Sequence, residues 1–306
     1  MATPTISKPN FIIIGSAKCG TTALSSILAS HPHCCMSRPK EVSFFQDNMD
    51  FQPNPNYEKG WEWYQQAFAH YNGEPLIGEA TPSYSDRSRS PQTSKRIYKF
   101  NPEAKIIYMV RDPLARQISC WKMQYAMGIE NSFPWRREHQ WAVKGFNYWM
   151  LMQRDVQQWD ECRYGYQLAS YEDCFPVNNI FVSFLEDWQR SKATEVSRIM
   201  SFLGLDPNLW QQDIPEEANR GSDRTIERPL VKKLRTHPIV ETFVKKFPIT
   251  WRDWARSVLA RTRIKPPAIQ LAESTKEEFL HYVSEDSYPF LQRYGKDPAL
   301  WSGIKA

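Results

Sequence analysis

The stretch Phe11-Ile12-Ile13-Ile14-Gly15-Ser16-Ala17-Lys18-Cys19-Gly20-Thr21-Thr22 decides how the chain folds. Phe11 to Ile14 is apolar without a break, the pattern of a strand buried on both faces, as in a parallel sheet. Small residues follow. From Thr22 to Ser30 the spacing of Leu24, Ile27 and Leu28 predicts a helix, which His31-Pro32 ends. Strand, glycine loop and helix start in this register aim backbone N–H groups and the positive end of the helix at one point. A phosphate or similar anion is the natural occupant. The expected contacts are Ser16, Ala17, Lys18, Cys19, Gly20, Thr21 and Thr22, the threonines through their hydroxyls. An ordinary strand-to-helix turn is the plain alternative, as is a solvated loop lysine for Lys18.

Outward from this unit, Lys105 to Val110 reads as a second buried strand, closed by Arg111-Asp112-Pro113 and followed by a helix through Ala115 to Tyr125. Asn179 to Phe184 is a third, with a helix near Ala193 to Leu203 that stops at Gly204. Strands alternating with helices predict an α/β fold: a single domain, residues 1–306, with a central parallel sheet flanked by helices. Thr275-Lys276-Glu277-Glu278 resembles a capping box that opens a last helix. The tryptophan-rich stretches 51–72 and 131–159 are expected to cover the sheet edge and a substrate cleft. Residues 239–263 read as an amphipathic packing helix, with a membrane surface or an anionic acceptor as the other reading.

Composition narrows the class. The chain has 306 residues, 41% of them hydrophobic, which is ample for a core. Lys and Arg total 39 against 34 acidic residues, a net charge of +5. That suits an anionic ligand and is too small to argue for nucleic acid. No apolar run approaches the ~18 residues of a membrane span. Met1 to Asn10 lacks the pattern of a signal peptide, so a cytoplasmic location is expected. The 6 cysteines form no C-x-x-C pair, which argues against zinc and for a reduced compartment.

The loop is near to a Walker A loop and departs from it. Gly15 and Gly20 are placed as that pattern requires, but Thr21-Thr22 stand where Lys-Ser or Lys-Thr belongs, and the lysine is inside the loop at Lys18. A good Walker B acid is missing after the second strand. A nucleotide kinase therefore has only the strand-loop-helix in its favour.

Gly15 to Thr22 resembles the 5'-phosphosulfate loop of sulfotransferases, which use 3'-phosphoadenosine 5'-phosphosulfate (PAPS) and release PAP. Val110-Arg111-Asp112-Pro113-Leu114-Ala115-Arg116-Gln117-Ile118-Ser119 resembles the family's 3'-phosphate motif, in which an arginine and a later serine share one phosphate, here Arg111 and Ser119. Lys40-Glu41-Val42-Ser43-Phe44-Phe45 and Glu79-Ala80-Thr81-Pro82-Ser83-Tyr84 resemble segments of the heparan sulfate N- and 3-O-sulfotransferase branch, as does the pattern Tyr164, Leu168, Tyr171, Phe175-Pro176.

The resemblance implies a P-loop sulfotransferase fold and transfer of a sulfuryl group to a hydroxyl or amine of a glycan or small polar metabolite, without a metal. Glu41 is the expected general base and Lys18 the cation on the leaving group. Burial beside Phe44 and Phe45 is expected to raise Glu41; its alternative role is a structural pair with Lys40 or Arg38. His31, His33 and His70 are the rival bases. Lys40, Ser83, Tyr84 and Tyr164 are expected to line the acceptor cleft, and Arg220-Gly221 a mobile loop over the nucleotide. A non-catalytic PAP-binding module is the remaining alternative.

Overall fold

Five short segments with few polar breaks assemble into one parallel sheet. In the computed structural model, which describes residues 7–49, 52–130, 136–210, 225–227, 261–263 and 266–305, these are β1 (Phe11–Gly15), β2 (Cys34–Met36), β3 (Leu76–Ala80), β4 (Lys105–Val110) and β5 (Ile180–Phe184). Their order is β2-β3-β1-β4-β5, and every pairing is parallel. The expected central parallel sheet is therefore present, with β1 at its centre. β2 and β3 were not anticipated: β2 is too short to show a period, and β3 carries Gly78 and Glu79 in its middle.

Helices cover the sheet. The main ones are α1 (Thr21–Ala29), α2 (Thr93–Phe100), α3 (Pro113–Glu130), α4 (Tyr164–Glu172), α5 (Lys192–Leu203) and α6 (Glu273–Arg293). Leu24, Ile27 and Leu28 of α1 pack with Ile13, Met109 and Ile199 in one buried apolar cluster. α5 ends where expected, at Gly204 in a left-handed conformation (φ 83°), with the Leu205 amide donating back to the Met200 carbonyl. α6 begins at Glu273, so Thr275 lies inside its first turn and does not open the helix. Asp286 of α6 accepts the Gly165 and Tyr166 amides at 2.9 and 2.7 Å, satisfying the exposed donors at the start of α4.

The chain divides into two compact units. One comprises Met1–Gln117, Val156–Ala218 and Lys276–Ala306 and holds the five-stranded sheet; the other comprises Ile118–Asp155 and Asn219–Thr275. In the second unit the Trp121 indole donates to the Ala142 carbonyl at 3.0 Å and the Trp149 indole to Gln124 at 2.6 Å. Of the expected packing helix at 239–263, residues 239–260 lie outside the described residues. Arg261–Arg263 instead pairs antiparallel with Thr225–Glu227.

The aromatic stretch near residue 60 forms a stack: Phe44 lies parallel to Tyr64 at 4.3 Å, and Phe100 meets Phe45 edge to face at 5.3 Å. Phe11 of β1 lies across Gly78 of β3 so closely that a Cβ there would sit 2.0 Å from the ring. Both residues are in the sheet interior, with no room to relax. Gly78→Ala should lower unfolding free energy by about 1–3 kcal/mol in urea titration; an unchanged midpoint would contradict this packing.

Candidate functional site

The loop after β1 forms where the chain leaves the sheet. Pairing of β1 with β4 slips between Ile13 and Gly15. Gly15 takes φ 154°, and a Cβ on it would lie 2.2 Å from Ser85 Oγ and 2.7 Å from the Pro82 carbonyl. Only glycine lets the turn Pro82–Ser85 close against the loop. The Ser16 amide donates to the Met109 carbonyl at 2.6 Å and the Cys19 amide to the Ser16 carbonyl at 3.2 Å. Lys18, half-buried, and Gly20 both have left-handed backbones (φ 69° and 94°). α1 then opens at Thr21 with no side-chain cap, so the N–H groups of its first turn face the loop. Thr21 is buried and Thr22 half-buried.

Arg111, half-buried at the carboxyl end of β4, donates from one guanidinium N–H to the Lys18 carbonyl at 3.4 Å. Asp112 is committed to backbone: its two oxygens accept the Ala115 amide at 2.8 Å and the Ser302 amide at 2.6 Å. This is a helix cap, not the free acid that a Walker-type site needs. Ser119 lies on α3, half-buried, in the second unit. Arg220 and Gly221 lie outside the described residues.

Beneath the loop is a group that sequence reading missed. Arg116, 2% exposed, donates to Ser16 Oγ at 3.2 Å and to the Ala17 carbonyl at 3.1 Å. Its other arm is ion-paired with Glu161, which also pairs with Arg89, itself paired with Asp86. Burial alone would raise the Glu161 carboxyl, but Arg89 and Arg116 outweigh it and hold the group below its ordinary value. The only hint in the sequence was a second arginine shortly after Arg111.

Tyr164, expected to line a cleft, is buried under the loop. Its hydroxyl donates to the Arg111 carbonyl at 2.7 Å and lies 3.9 Å from Cys19 Sγ. Cys19 is likewise fully buried. Tyr84 is also buried rather than lining a cleft, whereas Ser83 beside it is half-buried.

Glu41 departs from its expected environment. Its side chain is 55% exposed and its carboxylate lies 2.5 Å from Lys40 Nζ. The burial is taken instead by Phe44 and Phe45, which point into the aromatic stack. An exposed ion pair contributes little to stability, so this pairing does not by itself make Glu41 structural. The Glu41 amide donates to the carbonyl of Ala80 at 3.1 Å, and Ala80 pairs with Ile13 of β1. The Glu41 backbone is thus anchored to the end of the strand beside β1 and the loop that follows it. Glu79, by contrast, is fully buried. Burial raises its carboxyl above the ordinary value, against the pull of hydroxyls from Thr81, Tyr64 and Tyr84 and of the Ser43 amide.

Of the three histidines considered as bases, His33 is exposed and its ring lies edge to face with His31. His31 Nε2 meets the Asp206 carbonyl at 3.1 Å, and His70 Nε2 meets Cys35 Sγ at 3.5 Å on the edge strand β2.

A family model described as "Sulfotransferase domain" matches residues 8–242. The chain belongs to the sulfotransferase domain family. Sulfuryl transfer is the general chemistry of that family.

The "membrane-associated sulfotransferase kil1" of Dictyostelium discoideum is 31% identical over 170 residues, 55% of this chain and 32% of that protein. The human "heparan sulfate glucosamine 3-O-sulfotransferase 5" is 35% identical over 111 residues, 36% of this chain and 29% of that protein. The human "bifunctional heparan sulfate N-deacetylase/N-sulfotransferase 2" is 26% identical over 207 residues, 66% of this chain and 22% of that protein. The chain thus spans a third or less of the length of these curated relatives. A solved sulfotransferase from Alicyclobacillus acidocaldarius, 22% identical, has the same fold, with TM-score 0.54 over 81% of this chain and 100% of that one. Among the described residues no helix is long and apolar enough to cross a membrane.

Glu161 is the counter-charge for Arg116. Glu161→Ala should cost roughly 3–5 kcal/mol of stability at neutral pH by leaving a buried guanidinium uncompensated. The difference from the parent protein should be complete above about pH 4.3, the ordinary glutamate value, and shrink as the pH falls through the lowered folded-state value. Urea unfolding of both proteins across pH measures it; a difference that grew on acidification would contradict the network.

Proposed function

We propose that the chain transfers the sulfuryl group of PAPS to a hydroxyl or amine of a glycan or small polar metabolite. The observation that carries this is the hydrogen bond from Arg111 to the Lys18 carbonyl, which brings the two proposed phosphate contacts together at the carboxyl ends of β1 and β4. In a sheet of this order that end is where ligands bind. A guanidinium has five N–H donors and this bond uses one, so a fork remains for a 3'-phosphate. The residues present fit the donor: a loop of backbone amides for the 5'-phosphosulfate, a cation within it and an arginine beside it.

In this reading Glu41 removes the proton from the acceptor as its oxygen or nitrogen attacks sulfur. The bond from sulfur to the bridging oxygen breaks, and its electron pair stays with PAP. Charge grows on that oxygen, where Lys18 and the first turn of α1 stabilise it. Lys40 pairs with Glu41 and, with Ser83, faces the acceptor. Ser119 is proposed as a further 3'-phosphate contact; Arg220 and Gly221, proposed as nucleotide contacts, lie outside the described residues. Tyr84 and Tyr164 support the site from beneath. The heparan sulfate names of the relatives favour a glycan acceptor carrying hydroxyl and amine groups. A cytoplasmic location belongs to the proposal and is tested by cell fractionation.

Labelled PAPS with a panel of amino sugars, glycans and small alcohols should give acceptor-dependent PAP that survives EDTA; strict magnesium dependence with ATP as donor would overturn the reading. Glu41→Gln should lower turnover about 10²–10⁴-fold while PAP affinity by calorimetry stays within about twofold; equal loss of both would remove the base assignment. Arg111→Ala should weaken PAP far more than adenosine 5'-phosphosulfate, which lacks the 3'-phosphate. Equal weakening would refute that contact.

A further inference from the structure

Beneath the segment that carries Glu41 lies a buried carboxylate to which the proposed reaction gives no role. Glu79 is fully buried at the penultimate position of β3, and three hydroxyls donate to it: Thr81 at 2.5 Å and Tyr84 at 2.8 Å on Oε1, and Tyr64 on Oε2. Two of those hydroxyls have a second task. Thr81 Oγ1 accepts the Ser43 amide at 3.3 Å, and the Tyr84 hydroxyl accepts the Phe45 amide at 3.2 Å.

A hydroxyl has one proton to give. Whether ionised or protonated on Oε2, the carboxyl accepts at Oε1, so both protons turn toward Glu79 and both sets of lone pairs are left facing the loop amides. Without that acceptor the hydroxyls are free to rotate, and each amide can meet a donor instead. The segment needs the support, because Glu41 and Ser43 both have left-handed backbones (φ 66° and 55°), a conformation that costs a non-glycine residue of order 1–3 kcal/mol. From the other side Asn54 Nδ2 donates to the Ser43 carbonyl at 2.5 Å and Asn56 Nδ2 to the Val42 carbonyl at 3.4 Å.

We infer that Glu79 is a positioning residue: acting through the Thr81 and Tyr84 hydroxyls, it holds the amides of Ser43 and Phe45 and so sets the backbone that aims Glu41 at the acceptor. The aiming role rests on the assignment of Glu41 as base; the grip on the two amides does not.

Amide hydrogen exchange at Ser43 and Phe45 reads the grip directly. Thr81→Val and Tyr84→Phe keep volume and remove one hydroxyl each. They should speed exchange at Ser43 and at Phe45 respectively by about tenfold, the worth of one hydrogen bond. Glu79→Leu should release both amides together. Glu79→Gln can still accept both hydroxyls on Oε1 while its amide donates to Tyr64, and should keep both protected within about threefold. Amides that stay protected in Thr81→Val and Tyr84→Phe overturn the inference, even if Glu79→Leu fails to fold.

With the acceptor that the panel returns, Tyr84→Phe should lower kcat about ten- to hundredfold and leave PAP affinity within about twofold. In a Glu41→Gln background it should cost nothing further, because the two changes act on one step. Released amides with unchanged kcat would overturn the aiming role. A Glu41→Gln protein with full turnover would remove the base assignment and the aiming role with it, while the exchange result still decides the grip.

Discussion

The Arg116 side chain is almost wholly removed from water, and the loop after β1 rests on it. Taking a guanidinium out of water is costly, and here Glu161, with Arg89 and Asp86 behind it, supplies the compensating charge. The return is geometric. One planar group reaches Ser16 Oγ and the Ala17 carbonyl together, so the first half of the loop cannot swing away. The amides of Ser16 and Cys19 and the guanidinium of Arg111 hold the rest. A site that stabilises charge with fixed dipoles works only if those dipoles are already aimed when the charge appears. The network beneath the loop is what keeps them aimed.

Two glutamates at the end of β3 show how environment divides labour between identical groups. Glu41 is exposed and beside Lys40; Glu79 is sealed under three hydroxyls. The exposed one is open to solvent, and the sealed one is not. The sealed one can hold neighbouring hydroxyls in a single orientation, because no water competes for them. Burial expected for the first was found at the second. The Phe44 and Phe45 rings turn into the aromatic stack and leave the glutamate before them outside.

The strands at 11–15 and 105–110 were legible because central strands of a parallel sheet are apolar along their whole length. β2 and β3 escaped, since a strand as short as Cys34–Met36 has no readable period and Glu79 looks foreign to a core until its three donors are seen. The start of α6 at Glu273 differs from the capping-box reading because Asp286 and the apolar face from Phe279 to Leu291 decide where that helix lies, and a local four-residue pattern does not. Tyr84 and Tyr164 were placed in a cleft on motif position alone. A tyrosine serves equally as a cleft wall or as a buried donor, and the spacing of residues along the chain does not separate the two.

The sequence by itself determined the strand, the glycine loop and the helix that open the chain, because those depend on local rules: an unbroken apolar run, glycine where side chains cannot fit, and the loss of a Walker lysine to position 18. Tertiary structure alone decided which charges sit in water and which do not. Arg116 meets Glu161, Glu79 meets Tyr64, and Glu41 stays outside, through contacts between segments far apart in the chain. The physical reason is that desolvation and hydrogen-bond direction belong to surroundings, and surroundings exist only once the sheet has formed.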